Sequence, residues 1–192
     1  GNGVTKGAIN NPIIVSKNKK RGNGRVNCIA FDPIDEDIIW IGSPAGGLWK
    51  SIDGGSNWTT NTDNLPVMGV SHIAIDPVNN QTMYIVTGDA NATDTYSIGI
   101  LKSTDGGNTW NTTGLSYTVD QEKTVNKVLI NPNHTDSLIA ATNSNLMISS
   151  DAGATWAATG IIGRWRDIEY KPNNRNVIYA AKQSSGGSNV YR

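Results

Sequence analysis

Three aspartates of this 192-residue chain recur in one chemical setting: Ser51-Ile-Asp53-Gly-Gly55-Ser-Asn-Trp58, Ser103-Thr-Asp105-Gly-Gly107-Asn-Thr-Trp110 and Ser149-Ser-Asp151-Ala-Gly153-Ala-Thr-Trp156. Carboxylates are common general acids and bases, so a catalytic role is the first to weigh. It fails on geometry, because equivalent sites in successive repeats point different ways and do not converge on one substrate. The local alternative is stronger. A carboxylate and a hydroxyl this close in sequence bond to nearby backbone and close a tight turn, and glycine supplies the positive φ that such a turn needs. The tryptophan ring is expected to pack against a neighbouring sheet while its N–H keeps a polar partner. Ser51, Asp53, Gly55 and Trp58 are therefore read as a hairpin staple, as are Ser103, Asp105, Gly107 and Trp110, and Ser149, Asp151, Gly153 and Trp156. Their tryptophans are expected to be largely buried and their aspartates bonded to backbone of their own hairpins.

A second constellation is irregular. From Asp76 to Asp105 the chain runs 29 residues, against 21 from Asp32 to Asp53 and 20 from Asn131 to Asp151. The surplus lies in Gly88 to Ser97, and the later stretch Gly114 to Lys123 is expected on the same side of the molecule. Asp89, Asp94, Tyr96, Tyr117, Asp120 and Glu122, joined by Arg164 and Trp165, form the candidate ligand site, and acids with aromatics suit carbohydrate. Asp89 and Asp94 with Asn91 and Thr93 also suggest a calcium loop, but no glycine-centred ligand spacing supports it. His72 and His134 lack metal-ligand spacing and read as a strand residue and an exposed turn. No metal and no cofactor is implied. The lone Cys28 has no intrachain disulfide partner and reads as core.

What positions these residues is a repeat. Alternating apolar runs end in a residue plus proline at Asp32-Pro33, Asp76-Pro77, Asn131-Pro132 and Lys171-Pro172. Within the first repeat four strand-length segments follow one another, Arg25 to Phe31, Ile38 to Ile41, Leu48 to Ile52 and Trp58 to Thr60. The breaks carry turn chemistry, Asp-Pro, Gly/Ser/Pro and Asp-Gly-Gly. Four short strands in a meander, at a period of about 40 to 50 residues, are the signature of a propeller blade. The expected fold is all-β, a partial β-propeller of four-stranded antiparallel blades at about 25–61, 69–113, 124–159 and 164–192, after an extended leader over 1–24. In such blades the first and third connections emerge on one face and the second and fourth on the other, which is where a binding site belongs. About three and a half blades are visible, so the remaining blades of the same protein are an expected partner.

Bulk properties narrow the partners. Sixteen basic residues balance sixteen acidic ones, which gives no footprint for nucleic acid or anionic lipid. The basic run Lys17 to Arg21 reads as part of a solvated leader. The longest apolar runs, such as Ile38 to Ile41, fall far short of the roughly 20 residues of a membrane helix, so no membrane insertion is expected.

The three boxes, with Gly24-Arg-Val-Asn-Cys-Ile-Ala-Phe-Asp-Pro33 and Gly42-Ser-Pro-Ala-Gly-Gly-Leu-Trp-Lys-Ser51, resemble the Asp-box or BNR repeat. That repeat occurs in bacterial sialidases, sortilin-type receptors, xyloglucanase-type glycoside hydrolases, photosystem II assembly factors and large secreted Bacteroidetes proteins, and the resemblance is nearest the last group. It implies a propeller of about seven blades. In the xyloglucanase-like enzymes a catalytic acid precedes a Gly-Gly at a second connection, and the matching segment here begins with Pro44. The sialidase arginine set has no match either. The expectation is therefore a noncatalytic secreted or cell-surface scaffold for adhesion or recognition, binding a glycan or surface protein. The same resemblance makes it a candidate type IX export cargo, with the secretion machinery as a partner. The alternative is a xyloglucanase-like glycoside hydrolase acting on polysaccharide.

Overall fold

The computed structural model describes residues 25–90 and 95–192. The expected leader over 1–24, and Asn91, Thr93 and Asp94 of the candidate loop, lie outside the described residues.

Four antiparallel sheets follow one another, each an up-and-down meander in chain order. The first holds β1 (Cys28–Phe31), β2 (Ile39–Ser43), β3 (Gly47–Ser51) and β4 (Thr59–Thr60). The second holds β5 (Val70–Ile75), β6 (Met83–Thr87), β7 (Gly99–Ser103) and β8 (Asn111–Ser116). The third holds β9 (Val125–Asn131), β10 (His134–Thr142), β11 (Asn145–Ser149) and β12 (Ala157–Ile162), and the fourth β13 (Arg164–Lys171), β14 (Asn174–Ser184) and β15 (Gly187–Tyr191). These are propeller blades, as the repeat implies. The sequence pattern places the strands well but underestimates β8, β10 and β14, whose polar ends carry ladder bonds without an apolar signal. Among the described residues the helical structure is a 3-10 turn over Val119–Gln121.

Period-two alternation explains how one sheet serves two cores. Along β6, Met83 and Ile85 pack toward Trp40 and Leu48 of the first sheet. Tyr84 and Val86, between them in sequence, pack toward Val128, Leu138 and Ala140 of the third. A third core joins Ile139, Ala141 and Leu146 to Trp165, Ile168 and Ala180 of the fourth sheet. Each fully buried aliphatic side chain contributes about 1.5–3 kcal/mol, so the three layers between sheets dominate cohesion.

Each box is a closed hydrogen-bond ring. Ser103 Oγ donates to Asp105 Oδ1 at 2.7 Å and accepts from Gly107 N–H at 2.9 Å. Thr109 N–H and Oγ1–H reach the two Asp105 oxygens at 2.9 and 2.7 Å. Asp151 repeats this with Ser149 and Thr155, and Asp53 with Ser51 and Asn57. The ring then docks on the preceding blade. A Cβ at Gly107 would lie 2.4 Å from Trp40 Cη2, so the glycine is required by contact as well as by its φ of +81°. Lys50 crosses the Trp40 ring and donates to Gly106 O at 3.3 Å, and Asn61 Nδ2 donates to Gly107 O at 2.6 Å. One blade later Lys102 and the Tyr84 hydroxyl donate to Ala152 O at 3.2 and 3.0 Å. The proline turns have a related device: Asp32 and Asp76 each accept from two following N–H groups, and Asn80 Nδ2 bridges both oxygens of Asp32.

Two expectations need correction. Trp58, Trp110 and Trp156 are half-buried rather than largely buried, because the strands they introduce lie at the outer rim of each blade. Trp58 and Trp156 still donate from Nε1 to Gly55 O and Gly153 O, at 3.0 and 3.1 Å, whereas Trp110 Nε1 is buried without a partner among the described residues. His134 does stay exposed, but it opens β10 instead of forming a turn.

Three outcomes follow for stability. Trp165→Ala, at a fully buried ring, is expected to cost about 3–5 kcal/mol in denaturant unfolding, and Trp110→Ala, at a half-buried ring, roughly half of that. Ala152 holds a left-handed φ of +55° where Gly54 and Gly106 stand in the other boxes. Ala152→Gly removes the Cβ strain and loosens the unfolded chain, so a net gain of at most about 1 kcal/mol is expected as a rise in Tm.

The acid response separates into two limbs. Burial, reinforced by the Lys127 charge and opposed by Asp167, pushes His72 down to about 4 from 6.5. The unfolded chain protonates first, so this contribution is present above pH 6.5 and is lost as pH falls toward 4. Hydrogen bonds from the Thr109 and Thr155 hydroxyls, then from their N–H groups, hold Asp105 and Asp151 down to about 2, and Asn57 N–H lowers Asp53. Their contribution is present above the ordinary carboxylate value and drains as pH falls through about 2. In a Tm-against-pH series His72→Gln should flatten only the upper limb and Asp105→Asn only the lower.

Candidate functional site

The second and fourth connections gather at one end of the blades. Gly88 N–H donates to Gly69 O at 2.7 Å, and Gly69 packs so tightly that a Cβ would lie 2.6 Å from Pro44 O. Ser97 N–H donates to Lys123 O at 2.9 Å and Tyr117 N–H to Ile98 O at 3.0 Å. The two loops of the second blade are thereby laced side by side. They carry Tyr96 and Tyr117, half-buried, and Asp120 and Glu122, exposed. Burial raises the Tyr117 hydroxyl above its ordinary value, so it stays a neutral donor. Glu122 holds a left-handed φ of +54°, which ends the short 3-10 turn and directs the chain back into β9. Asn143 Nδ2 donates to Glu122 O at 3.3 Å and ties this corner to the third blade.

The other expected members part from this group. Asp89 is buried and ion-paired with Arg25, and Asn27 Nδ2 donates to it at 3.4 Å. It is an anchor between the first two blades rather than a group presented to ligand. Trp165 is a core residue, not a loop residue: it lies in β13, fully buried, donates from Nε1 to Ile161 O at 3.0 Å and meets the edge of Tyr191. Arg164 is exposed at the start of the same strand, opposite Gln183. Asp94 lies outside the described residues.

Two arginines that the sequence reading passed over matter more. Arg25 neutralises Asp89, and Arg166 reaches across to donate to Ala90 O at 2.9 Å while its Nε donates to Gln183 Oε1 at 2.7 Å. The stretch Asp89–Ala90 is thus held by the first and fourth blades together. The alternation Arg164-Trp165-Arg166 carried the signal, since a buried ring in a strand throws its neighbours outward.

The segment Ser43 to Gly47 is the second connection of the first blade, between β2 and β3. Gly46 N–H donates to Ser43 Oγ at 3.1 Å and Trp49 Nε1 donates to Gly46 O at 2.7 Å, which fixes a tight connection with Pro44 at its entry. Pro44 offers no carboxylate there. The box aspartates are engaged in their own rings, at the opposite end of the strands. Among the described residues no three His, Cys, Asp or Glu side chains come together as metal ligands. No helix of the described residues is long and apolar enough to cross a membrane.

Comparison with known proteins sharpens this picture. A xyloglucanase of Paenibacillus sp is 31% identical over 148 residues, covering 71% of this chain and 14% of the relative. Xyloglucanase Xgh74A of Acetivibrio thermocellus is 28% identical over 170 residues, covering 82% of this chain and 19% of the relative. The chain therefore spans less than a quarter of these curated relatives. Among solved structures, the Niastella koreensis GH74 enzyme superposes with a TM-score of 0.65 at 23% identity, covering 88% of this chain and 28% of that one. The YCF48 propeller bound to D1 peptide gives 0.62 at 19% identity, covering 88% and 50%. These likenesses show the propeller fold. The xyloglucanase relatives also overturn the expectation of a noncatalytic adhesion scaffold, which rested on Pro44 in one connection of one blade, on the missing sialidase arginines and on the resemblance to secreted Bacteroidetes proteins. The sequence profile of the Sortilin-Vps10 family (sortilin, neurotensin receptor 3) matches residues 46–189, and the chain belongs to that family.

Proposed function

We propose that this chain is part of a glycoside hydrolase of the xyloglucanase type, working outside the cell on a polysaccharide held across the loop end of its blades. The observation that carries this reading is the 31% identity to a xyloglucanase over 148 residues. The geometry is compatible with it: a sugar site needs aromatic surface and a few directed polar groups, and Tyr96, Tyr117, Asp120 and Glu122 lie on two laced loops.

The part this reading gives to the two laced loops is substrate binding. Glycosidic cleavage needs two carboxylates about 5–9.5 Å apart across the bond, and Pro44, the arginine-paired Asp89 and the ring-bound box aspartates supply no such pair. The reading therefore assigns sugar positioning to Tyr117, Asp120 and Glu122.

The test is native affinity electrophoresis in gels containing xyloglucan, together with release of reducing ends by the protein. Retardation by xyloglucan but not by an α-glucan is expected, weakened about tenfold by Tyr117→Ala and by Asp120→Ala with Glu122→Ala, or about 1.4 kcal/mol. A folded protein that neither binds xyloglucan nor cleaves it would remove this reading.

A further inference from the structure

Between β6 and β7 the connection runs from Gly88 to Ile98, where the first blade needs only Pro44 to Gly46. A long loop costs conformational entropy to order, and a ligand that binds it unordered must meet that cost. Here the base of the loop is closed. Asp89 N–H donates to Thr95 O at 3.0 Å and Ile98 N–H to Thr87 Oγ1 at 3.0 Å. A Cβ at Gly88, whose φ is +88°, would lie 2.9 Å from Ser97 N. The chain that leaves at Asp89 is thus back beside it at Thr95, immediately before Tyr96. What grips this base comes from outside the loop. Ala90 N–H donates to Ser71 Oγ at 2.9 Å, and the Ser71 hydroxyl donates to Gly88 O at 2.7 Å. Arg166 donates to Ala90 O at 2.9 Å, while Gln183 accepts from its Nε. Arg25 pairs with the Asp89 carboxylate, which Asn27 Nδ2 also reaches at 3.4 Å. Ser71 lies in β5 and Arg166 in β13, and Arg25 and Asn27 lead into β1. Both backbone polar groups of Ala90 and the side chain of Asp89 are therefore engaged from the first strands of three blades, which belong to the framework and not to neighbouring loops.

We propose, resting on the polysaccharide reading of the laced loops, that Arg25, Ser71 and Arg166 are positioning residues of that site. They act through Asp89–Ala90 to hold the Tyr96 loop beside the Tyr117 loop before ligand arrives. Preordering of this kind strengthens binding by removing the cost of immobilising the loop on contact. Ser71 separates this role from direct contact with sugar, because it is 8% exposed and its hydroxyl is spent on Ala90 and Gly88. Arg166 is exposed, so its replacement leaves the packed layers intact.

The experiment compares wild type, Ser71→Ala and Arg166→Ala by limited chymotrypsin digestion read by mass spectrometry, and by affinity electrophoresis in xyloglucan gels. Cleavage after Tyr96 is expected to run about tenfold faster in both variants, since proteolysis follows the population of the opened loop and each variant loses a hydrogen bond that closes it. Cleavage after Tyr84, which is fully buried in β6, should stay as slow as in wild type and shows that each variant is folded. Retardation by xyloglucan should weaken about tenfold in step, and Arg166→Lys, which keeps a donor for Ala90 O, should recover part of both effects. Wild-type protein that xyloglucan does not retard removes the polysaccharide reading, and the positioning role with it. Variants that leave Tyr96 protected, or that expose it yet bind xyloglucan as wild type does, overturn the positioning role alone. So does a loss of binding confined to Arg166→Ala with Ser71→Ala folded and unaffected, which would mark direct contact of the arginine with sugar.

Discussion

The serine hydroxyl of each box is the constraint on which the rest of the structure depends. One oxygen accepts an N–H from the glycine four residues later and donates its proton to the aspartate two residues later. This fixes the hairpin before any packing is made, because both bonds are local and cost little chain entropy to close. A hairpin so fixed presents its glycine and its carbonyls in a set direction, and the preceding blade answers with an aromatic face and a lysine. The repetition of that answer at Trp40 with Lys50, and again at Tyr84 with Lys102, makes the boxes a device for registering one blade against the next.

Much of this was legible in the residues. Strand periodicity, the proline turns and the boxes gave the order of elements and their faces, since each of these signals is local. Long-range consequences were not. Asp89 looked like a loop carboxylate because nothing in its neighbourhood announces Arg25, which lies 64 residues earlier in the chain. Trp165 looked like a loop aromatic because β13 begins one residue before it, and strand starts are the least certain part of such a reading. The half-burial of the box tryptophans follows from their place at the rim, a property of the meander as a whole rather than of the motif.

The functional reading moved for a different reason. Absence of an acid at Pro44 speaks about one connection in one blade, while a propeller distributes its chemistry over loops from several. Two laced loops and a framework held by staples are compatible with catalysis located on other loops. The box aspartates take no part in a surface on the laced loops, because they sit at the other end of the strands, each satisfied by its own hairpin.

The three separate cores have a consequence for how the molecule comes apart. Each apolar layer joins only adjacent sheets, so the packing part of cooperativity is carried by nearest-neighbour coupling along a short one-dimensional array, as in stacked repeat proteins. The second sheet has apolar layers on both sides, with every residue of β6 buried. Amide protection against exchange then grades along the chain instead of reporting one global value, and it is highest in β6, which lies between two of the apolar layers.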